Sequence, residues 1–282
     1  GIRSAMPIAE AHRRCPDAVF VRPQMDRYRR LSRQVFEILT SITPCMEAAS
    51  IDEAYLDVSG LEKLFGTPAV IARTIKQRIV EQTGLTASVG IGPNRLIAKL
   101  GSEYRKPDGL TVVTPDQVLG FLAPMPVANL RGLGRQTQKI FRRLGIKTVA
   151  ELRTFPPHTL VKHLGETAAQ RFRQQAFGIA SDQVFTERQR KSISKETTFE
   201  TDVQDHPLLR DALRRLAADV ARTARRESLS GSVVTLKIRF AGFETYTRQH
   251  TLPASTHDER DLLTTAWQLF LSGNLPDKPV RL

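Results

Sequence analysis

From Val234 to Phe240 the chain alternates without exception, with Val234, Leu236, Ile238 and Phe240 on one face and Thr235, Lys237 and Arg239 on the other. A period of two sustained over that length fits a half-buried strand. Upstream, Leu209, Leu213, Leu216, Val220 and Ala224 form an apolar stripe in a helix expected over 207–228, whose surface carries Arg214, Arg215, Arg222, Arg225 and Arg226. One face of the sheet must therefore meet that helix, and the other presents cations outward.

This helix-and-sheet unit occupies only the end of a 282-residue chain, which is long enough for two or three compact units. Before it, residues 1–114 read as an α/β layer. Helices are expected over 7–14 and 26–40, the second placing Tyr28, Leu31, Val35 and Ile38 or Leu39 at helical spacing. Ala18 to Val21, flanked by prolines, reads as a strand, as do 50–60 (SIDEAYLDVSG), 86–92 and 110–113. A helix over 68–82 turns Val70, Ile71, Ile75 and Ile79 inward, and Asn94 is placed to cap one containing Leu96, Ile97 and Leu100. From 115 to 185 short helices broken by glycine and proline form a separate all-helical unit, in which Thr148 and Glu151 fit a capping box. Residues 185–195 are polar and lack helical period, the mark of a linker running into an edge strand.

Two cysteines, Cys15 and Cys45, are too few for a disulfide framework and lack metal-ligand spacing, so both are expected in the core of a cytoplasmic protein. No apolar run reaches the roughly eighteen residues that cross a bilayer. With 42 Lys+Arg against 29 Asp+Glu the formal charge is +13, which makes nucleic acid the leading partner.

Two motifs carry chemistry. In residues 127–140 (VANLRGLGRQTQKI), Gly132 and Gly134 permit a tight turn close to a phosphate, ahead of a helix whose first amides favour an anion. Arg135, Lys139 and Arg143 at i, i+4 and i+8 make one cationic ridge there, the pattern of a DNA-binding helix-hairpin-helix rather than a plain αα-turn. A looser echo lies at 160–172. In SIDEAYLDVSG the neighbours Asp52 and Glu53 interrupt an apolar run, and in an ideal strand they point to opposite faces. They share a cation only if the backbone bends there or a strand ends. Hard oxygen ligands suit Mg²⁺, and in a basic chain that combination fits phosphoryl transfer on nucleic acid; the alternative is a strand-end pair facing water. Asp57 and Asp108 read as turn residues, Tyr55 as core or pocket wall, the histidines as surface, and Trp267 as helix packing.

SIDEAYLDVSG, TASVGIGPNRLIAKLGSEYRKPDG, LRGLG, SVVTLKIRF and ETYTRQHTL together resemble, in order and over essentially the whole chain, the Y-family translesion DNA polymerases of the bacterial DNA polymerase IV type. The resemblance implies an α+β multidomain chain: a fingers remnant (1–23), an α/β palm (24–114) without its first strand, an all-helical thumb with the helix-hairpin-helix (115–185), a linker (186–190), and an α/β little finger domain (191–282) with a basic sheet face, lacking its last strand. It implies Asp52 and Glu53 as catalytic carboxylates for two Mg²⁺ ions, Lys106 as a contact to the nucleotide triphosphate, and Ser4, Ala5 and Met6 near the templating base. Arg131, Gly132, Gly134, Arg135, Lys139, Lys237 and Arg239 would then lie along the DNA. The implied partners are primer-template DNA, a deoxynucleoside triphosphate and a sliding clamp, with a monomer associated with the nucleoid.

The family's third carboxylate, in an N-terminal DxDxFF-like strand, has no counterpart in residues 1–49; a fingers tyrosine and arginine are expected just upstream of Gly1, and at the other end the clamp-binding tail expected after PVRL is missing. An internal fragment is therefore expected, one that binds DNA in a salt-dependent way but polymerises poorly. The competing reading is a non-catalytic DNA-binding adaptor on a polymerase scaffold, which need not retain Asp52 and Glu53.

Overall fold

The computed structural model describes residues 1–186, 190–272 and 274–282, arranged as two compact units, Gly1–Arg188 and Gln189–Leu282. The linker expected at 186–190 falls largely outside the described residues. The architecture mixes helix and sheet throughout.

In the first unit α1 (Ile8–Arg14) and α2 (Met25–Thr40) precede an antiparallel hairpin of β1 (Met46–Ala48) and β2 (Ala54–Leu56), with Met46 opposite Leu56 and Ala48 opposite Ala54. After the short α3 (Glu62–Phe65), α4 (Pro68–Thr83) begins on its proline and ends on Gly84, whose φ of 69° closes the helix in the left-handed region. Ile38, Leu39 and Ile42 from α2 and its end meet Ile71, Ile75 and Ile79 of α4 in one apolar layer. Val70 faces out instead, and Ala72 takes a buried position on α4. The strand expected at Ala18 to Val21 does not form: among the described residues the segment pairs with no strand, and Val19 and Val21 lie 87% and 75% exposed. Its apolar side chains have no sheet edge to join, so composition alone does not make it a strand. Cys15 and Cys45 are both exposed, not core residues. Cys15 follows a helix that buries only Ala11, so no apolar layer is there to receive it.

β3 (Val89–Ile91) and β4 (Leu110–Val112) pair in parallel through α5 (Arg95–Tyr104), whose first turn is capped by the Asn94 side chain accepting from the Ile97 amide at 3.1 Å. β3 lies directly on the α5 backbone. A Cβ built on Gly90 would stand 2.0 Å from the Ala98 carbonyl oxygen and 2.2 Å from the Ser102 amide nitrogen. Gly90→Ala must therefore push strand and helix apart, and it is expected to cost about 3 kcal/mol, read as a lower urea midpoint by circular dichroism. An unchanged midpoint would mean that this contact is soft.

The helical part follows: α6 (Val118–Leu122), α7 (Arg135–Arg143), α8 (Val149–Thr154), α9 (Pro157–Leu164) and α10 (Glu166–Ala176). The capping box at α8 forms, with the Glu151 amide donating to Thr148 Oγ1 at 3.2 Å and the Thr148 amide donating to Glu151 Oε2 at 3.0 Å. The helical part is not separate. Leu96, Ile97 and Leu100 of α5 share a continuous core with Leu122, Phe141, Leu152, Leu160 and Phe172, the two phenylalanine rings meeting edge-on at 5.5 Å. The amphipathic face of α5 is what joins the layers, and its period alone did not say which neighbour it would meet.

In the second unit α11 (His206–Arg226) and α12 (Glu259–Leu271) accompany the antiparallel pair β5 (Gly231–Arg239) and β6 (Thr245–Thr256). Val234, Leu236, Ile238 and Phe240 are buried as the alternation requires, and Leu209 packs in one cluster with the last three. Trp267 stacks on Phe270 with centroids 5.2 Å apart. Residues 190–195 take no ladder pairing; edge contacts come later, as the bridge from Val203 to Val280.

Candidate active site

The Asp52–Glu53 pair occupies the turn of the β1–β2 hairpin, immediately before β2 begins at Ala54. The Ala49 and Ser50 amides both donate to the Glu53 carbonyl, at 2.9 and 3.2 Å, closing the turn, and the Ser50 hydroxyl donates to the Asp52 carboxylate. The alternation that would separate the two side chains has thus ended before it reaches them. Both carboxylates are exposed, so neither carries the cost of a buried charge. Four residues beyond Glu53, Asp57 accepts from the Ser59 amide at 2.9 Å; the Ser59 hydrogen bonds hold that carboxyl below its usual range and mark it as a turn acceptor.

Glu53 pairs with Lys99 of α5, which also holds Glu103 at 3.0 Å. Burial works against the Lys99 charge, but its hydrogen bonds to Glu53 and Glu103 outweigh it and raise the ammonium above its ordinary value. Among the described residues no cluster of three or more His, Cys, Asp or Glu side chains could enclose a metal. Two adjacent exposed carboxylates nevertheless match Mg²⁺, which typically takes one or two protein carboxylates and completes its shell with water and substrate phosphate.

Beneath the turn, Tyr55 is buried. The Arg95 guanidinium lies 4.5 Å over its ring, and Arg131 Nη1 donates to its hydroxyl at 3.1 Å. Arg95 also pairs at 2.6 Å with Glu47, whose other oxygen accepts from the Phe185 amide at 3.0 Å. Arg131, expected on the DNA backbone, therefore has a protein partner two residues along from Glu53. Its backbone is held as well: the Gln175 side chain accepts from the Arg131 amide at 2.9 Å and donates to its carbonyl at 3.1 Å.

Past Arg131 the chain turns at Gly132, φ 77°, buries Leu133 and starts α7 from Gly134, leaving Arg135, Lys139 and Arg143 exposed. No carboxylate pairs with these three among the described residues. Only a single 3-10 turn, Val127–Asn129, precedes the hairpin, whereas α9 and α10 at the looser echo are full helices joined at Gly165, φ 77°.

Lys106 is exposed in the loop between α5 and β4. That loop is pinned by Lys76, whose Nζ donates to the Ala87 carbonyl at 2.6 Å and the Asp108 carbonyl at 2.8 Å and pairs with the Asp108 carboxylate. Ser4 and Ala5 form an exposed turn ahead of α1, with Met6 half-buried. In the second unit Lys237 and Arg239 lie on the sheet face opposite the core; Lys237 pairs with Glu196 at 2.6 Å, and Arg239 Nε donates to Thr245 Oγ1 at 2.9 Å. Sequence reasoning missed Lys99, Glu103, Arg95, Glu47, Lys76 and Gln175. No local pattern marks them, since apart from Glu103 their partners lie far away along the chain.

Residues 1–103 match the impB/mucB/samB family, and residues 190–282 match the impB/mucB/samB family C-terminal domain. A protein of Methanoculleus marisnigri named DNA polymerase IV is 41% identical over 282 residues, covering all of this chain and 78% of the relative. One of the same name from Alkalilimnicola ehrlichii is 40% identical over 284 residues, covering all of this chain and 79% of its own. Among solved structures, a Y-family DNA polymerase chimera superposes with a TM-score of 0.84 at 24% identity, over all of this chain and 81% of the chimera. DinB from Sulfolobus solfataricus gives 0.65 at 23%, over all of this chain and 82% of that one. At such identities the structures speak to the fold.

Proposed function

The chain belongs to the impB/mucB/samB family, the DinB-type Y-family DNA polymerases, and from that premise we propose that it performs template-directed DNA synthesis past damaged bases. The observation that carries the mechanism is the exposed carboxylate pair Asp52 and Glu53 at a hairpin turn of a chain with net charge +13. In the reaction the primer 3′ oxygen bonds to the α-phosphorus of a deoxynucleoside triphosphate while the bond from that phosphorus to the leaving pyrophosphate breaks. Asp52 and Glu53 would hold two Mg²⁺ ions, which when bound lower the barrier by activating the 3′ hydroxyl and neutralising charge on the phosphates. The chain's own part is to fix both carboxylates on one short turn, tied to β2 and supported by buried Tyr55.

The other residues take roles in keeping with their exposure. Lys106 meets the triphosphate as a flexible point charge; Gly132, Gly134, Arg135 and Lys139 run along the duplex backbone as a helix-hairpin-helix in a thumb over 115–185. Arg131 lies along the same backbone while joining that hairpin to Tyr55 in a palm over 24–114. Lys237 and Arg239 add cations from the little finger sheet over 191–282, Lys237 exchanging Glu196 for a phosphate. Ser4, Ala5 and Met6, in a fingers segment over 1–23, leave space beside the templating base.

Primer extension on a template carrying an abasic site tests the reading. Extension that follows template sequence and needs a divalent cation is expected from the chain, or from the chain joined to the flanking segments of the Methanoculleus marisnigri relative. DNA binding without extension by either would favour the adaptor. Lys106→Ala is expected to raise the nucleotide KM about tenfold, the loss of one charge-assisted contact of about 1.4 kcal/mol, with primer-template affinity unchanged. An unchanged KM in steady-state single-nucleotide insertion would remove Lys106 from the site.

A further inference from the structure

The Lys99 ammonium faces two carboxylates from different elements: Glu53 in the hairpin turn, and Glu103 one turn further along α5 at 3.0 Å. Its side chain is 19% exposed, while Glu53 and Glu103 are 45% and 47% exposed. One carboxylate suffices to neutralise one ammonium, so the second partner is surplus as long as Glu53 stays in place. It ceases to be surplus when a divalent cation draws on the Glu53 oxygens. Two positive groups would then crowd one carboxylate, unless Lys99 has somewhere else to go within reach of a side-chain rotation. Glu103, four residues on and in no other ion pair among the described residues, supplies that place.

We propose that Lys99 is the resting counter-ion of Glu53, competing with the divalent cation for it, and that Glu103 retains Lys99 when the cation takes Glu53. Lys99 is thus a positioning residue acting through Glu53, and the inference rests on the reading of Asp52 and Glu53 as cation ligands. In the resting chain the pair keeps the Glu53 carboxylate oriented without leaving it to wander in solvent. On cation binding, only a short transfer of the ammonium between two carboxylates is needed.

The idea fixes opposite signs for two substitutions. Lys99→Met keeps the length of the side chain and removes the competitor, so divalent binding tightens; Glu103→Gln leaves Lys99 to Glu53 alone, so binding weakens. Because the groups are partly exposed, each change is expected to be roughly two- to fivefold. A field effect of bare charge would give the same signs but would add. A relay through Lys99 would not, so Glu103→Gln introduced into the Lys99→Met chain should have no further effect.

Mn²⁺ binding to the chain alone, followed by water-proton relaxation enhancement with folding checked by circular dichroism, provides the test. The expected result is tightening in Lys99→Met, weakening in Glu103→Gln, no added effect in the double variant, and competition preserved in Lys99→Arg. Unchanged affinity in Lys99→Met, or additive effects in the double variant, would overturn the counter-ion role. The combined Asp52→Asn and Glu53→Gln chain separates the two layers of the argument. If it binds Mn²⁺ as well as the unaltered chain, the carboxylate reading itself fails; if it loses Mn²⁺ while Lys99→Met changes nothing, only the inference about Lys99 fails.

Discussion

Combining Asp52→Asn with Glu53→Gln is expected to reduce primer extension by about a thousandfold or more, while leaving the fold and the DNA affinity in place. The size follows from what is removed: metal-assisted stabilisation of the transferring phosphoryl group is worth several kcal/mol, and about 4 kcal/mol corresponds to three decades in rate. The selectivity follows from where the residues sit. Both side chains are exposed on a turn closed by backbone hydrogen bonds to the Glu53 carbonyl, which the substitutions do not touch. The one ion pair lost, Glu53 with Lys99, is partly exposed and contributes at most about 1 kcal/mol. The comparison is single-nucleotide insertion by substituted and unsubstituted proteins, each with and without the flanking segments of the relative, beside a DNA-binding titration. Extension that survives the double substitution would move the chemistry elsewhere on the chain. Extension by none of the proteins, with binding intact, would turn the pair into a structural turn and the protein into an adaptor.

The second large effect is expected on DNA binding. Replacing Arg135, Lys139 and Arg143 with alanine removes three exposed cations of α7 that no protein carboxylate neutralises among the described residues. If each meets one phosphate of a duplex, the slope of log affinity against log salt should become shallower by about 2.7, and affinity at 0.1 M salt should fall by roughly two orders of magnitude. Net charge alone would produce a smaller, unspecific loss, so the control must remove the same charge elsewhere. Arg214, Arg215 and Arg222 of α11 serve, because Asp211 and Asp219 already pair with them at 2.7, 3.0 and 3.1 Å. Alanine at these three positions is expected to change the slope much less. Equal losses from the two triples would dissolve the assignment of α7 to the duplex backbone.

Much of the local architecture was legible in the residues. The Asn94 cap, the Thr148–Glu151 box and the alternation of β5 all formed, because each is decided within a few residues by a hydrogen bond or a period that the local sequence already contains. Asp57 behaved likewise, its acceptor being the amide two residues on. The chemical types of the candidate site were legible for the same reason, since two adjacent carboxylates in an apolar run and a glycine turn before a basic helix can be seen without knowing what surrounds them.

Expectations that depended on a distant partner fared differently. Ala18 to Val21 has strand composition but no sheet edge to join among the described residues, and Cys15 and Cys45 have small apolar side chains yet lie exposed. Arg131, expected along the DNA, is exposed and donates to the hydroxyl of a tyrosine of β2, and Lys237 pairs with Glu196; neither partner could be read from the local sequence. The sequence by itself determined the amphipathic helices, where they are capped, and which chemistries the chain can offer, since these rest on short-range sterics and hydrogen bonds. Only the tertiary structure decided that Lys99 neutralises Glu53, that Lys76 pins the Lys106 loop, and that α5 draws the sheet and the helical part into one core. Charge pairing and burial depend on which surfaces meet once the chain has closed, and no local pattern encodes that meeting.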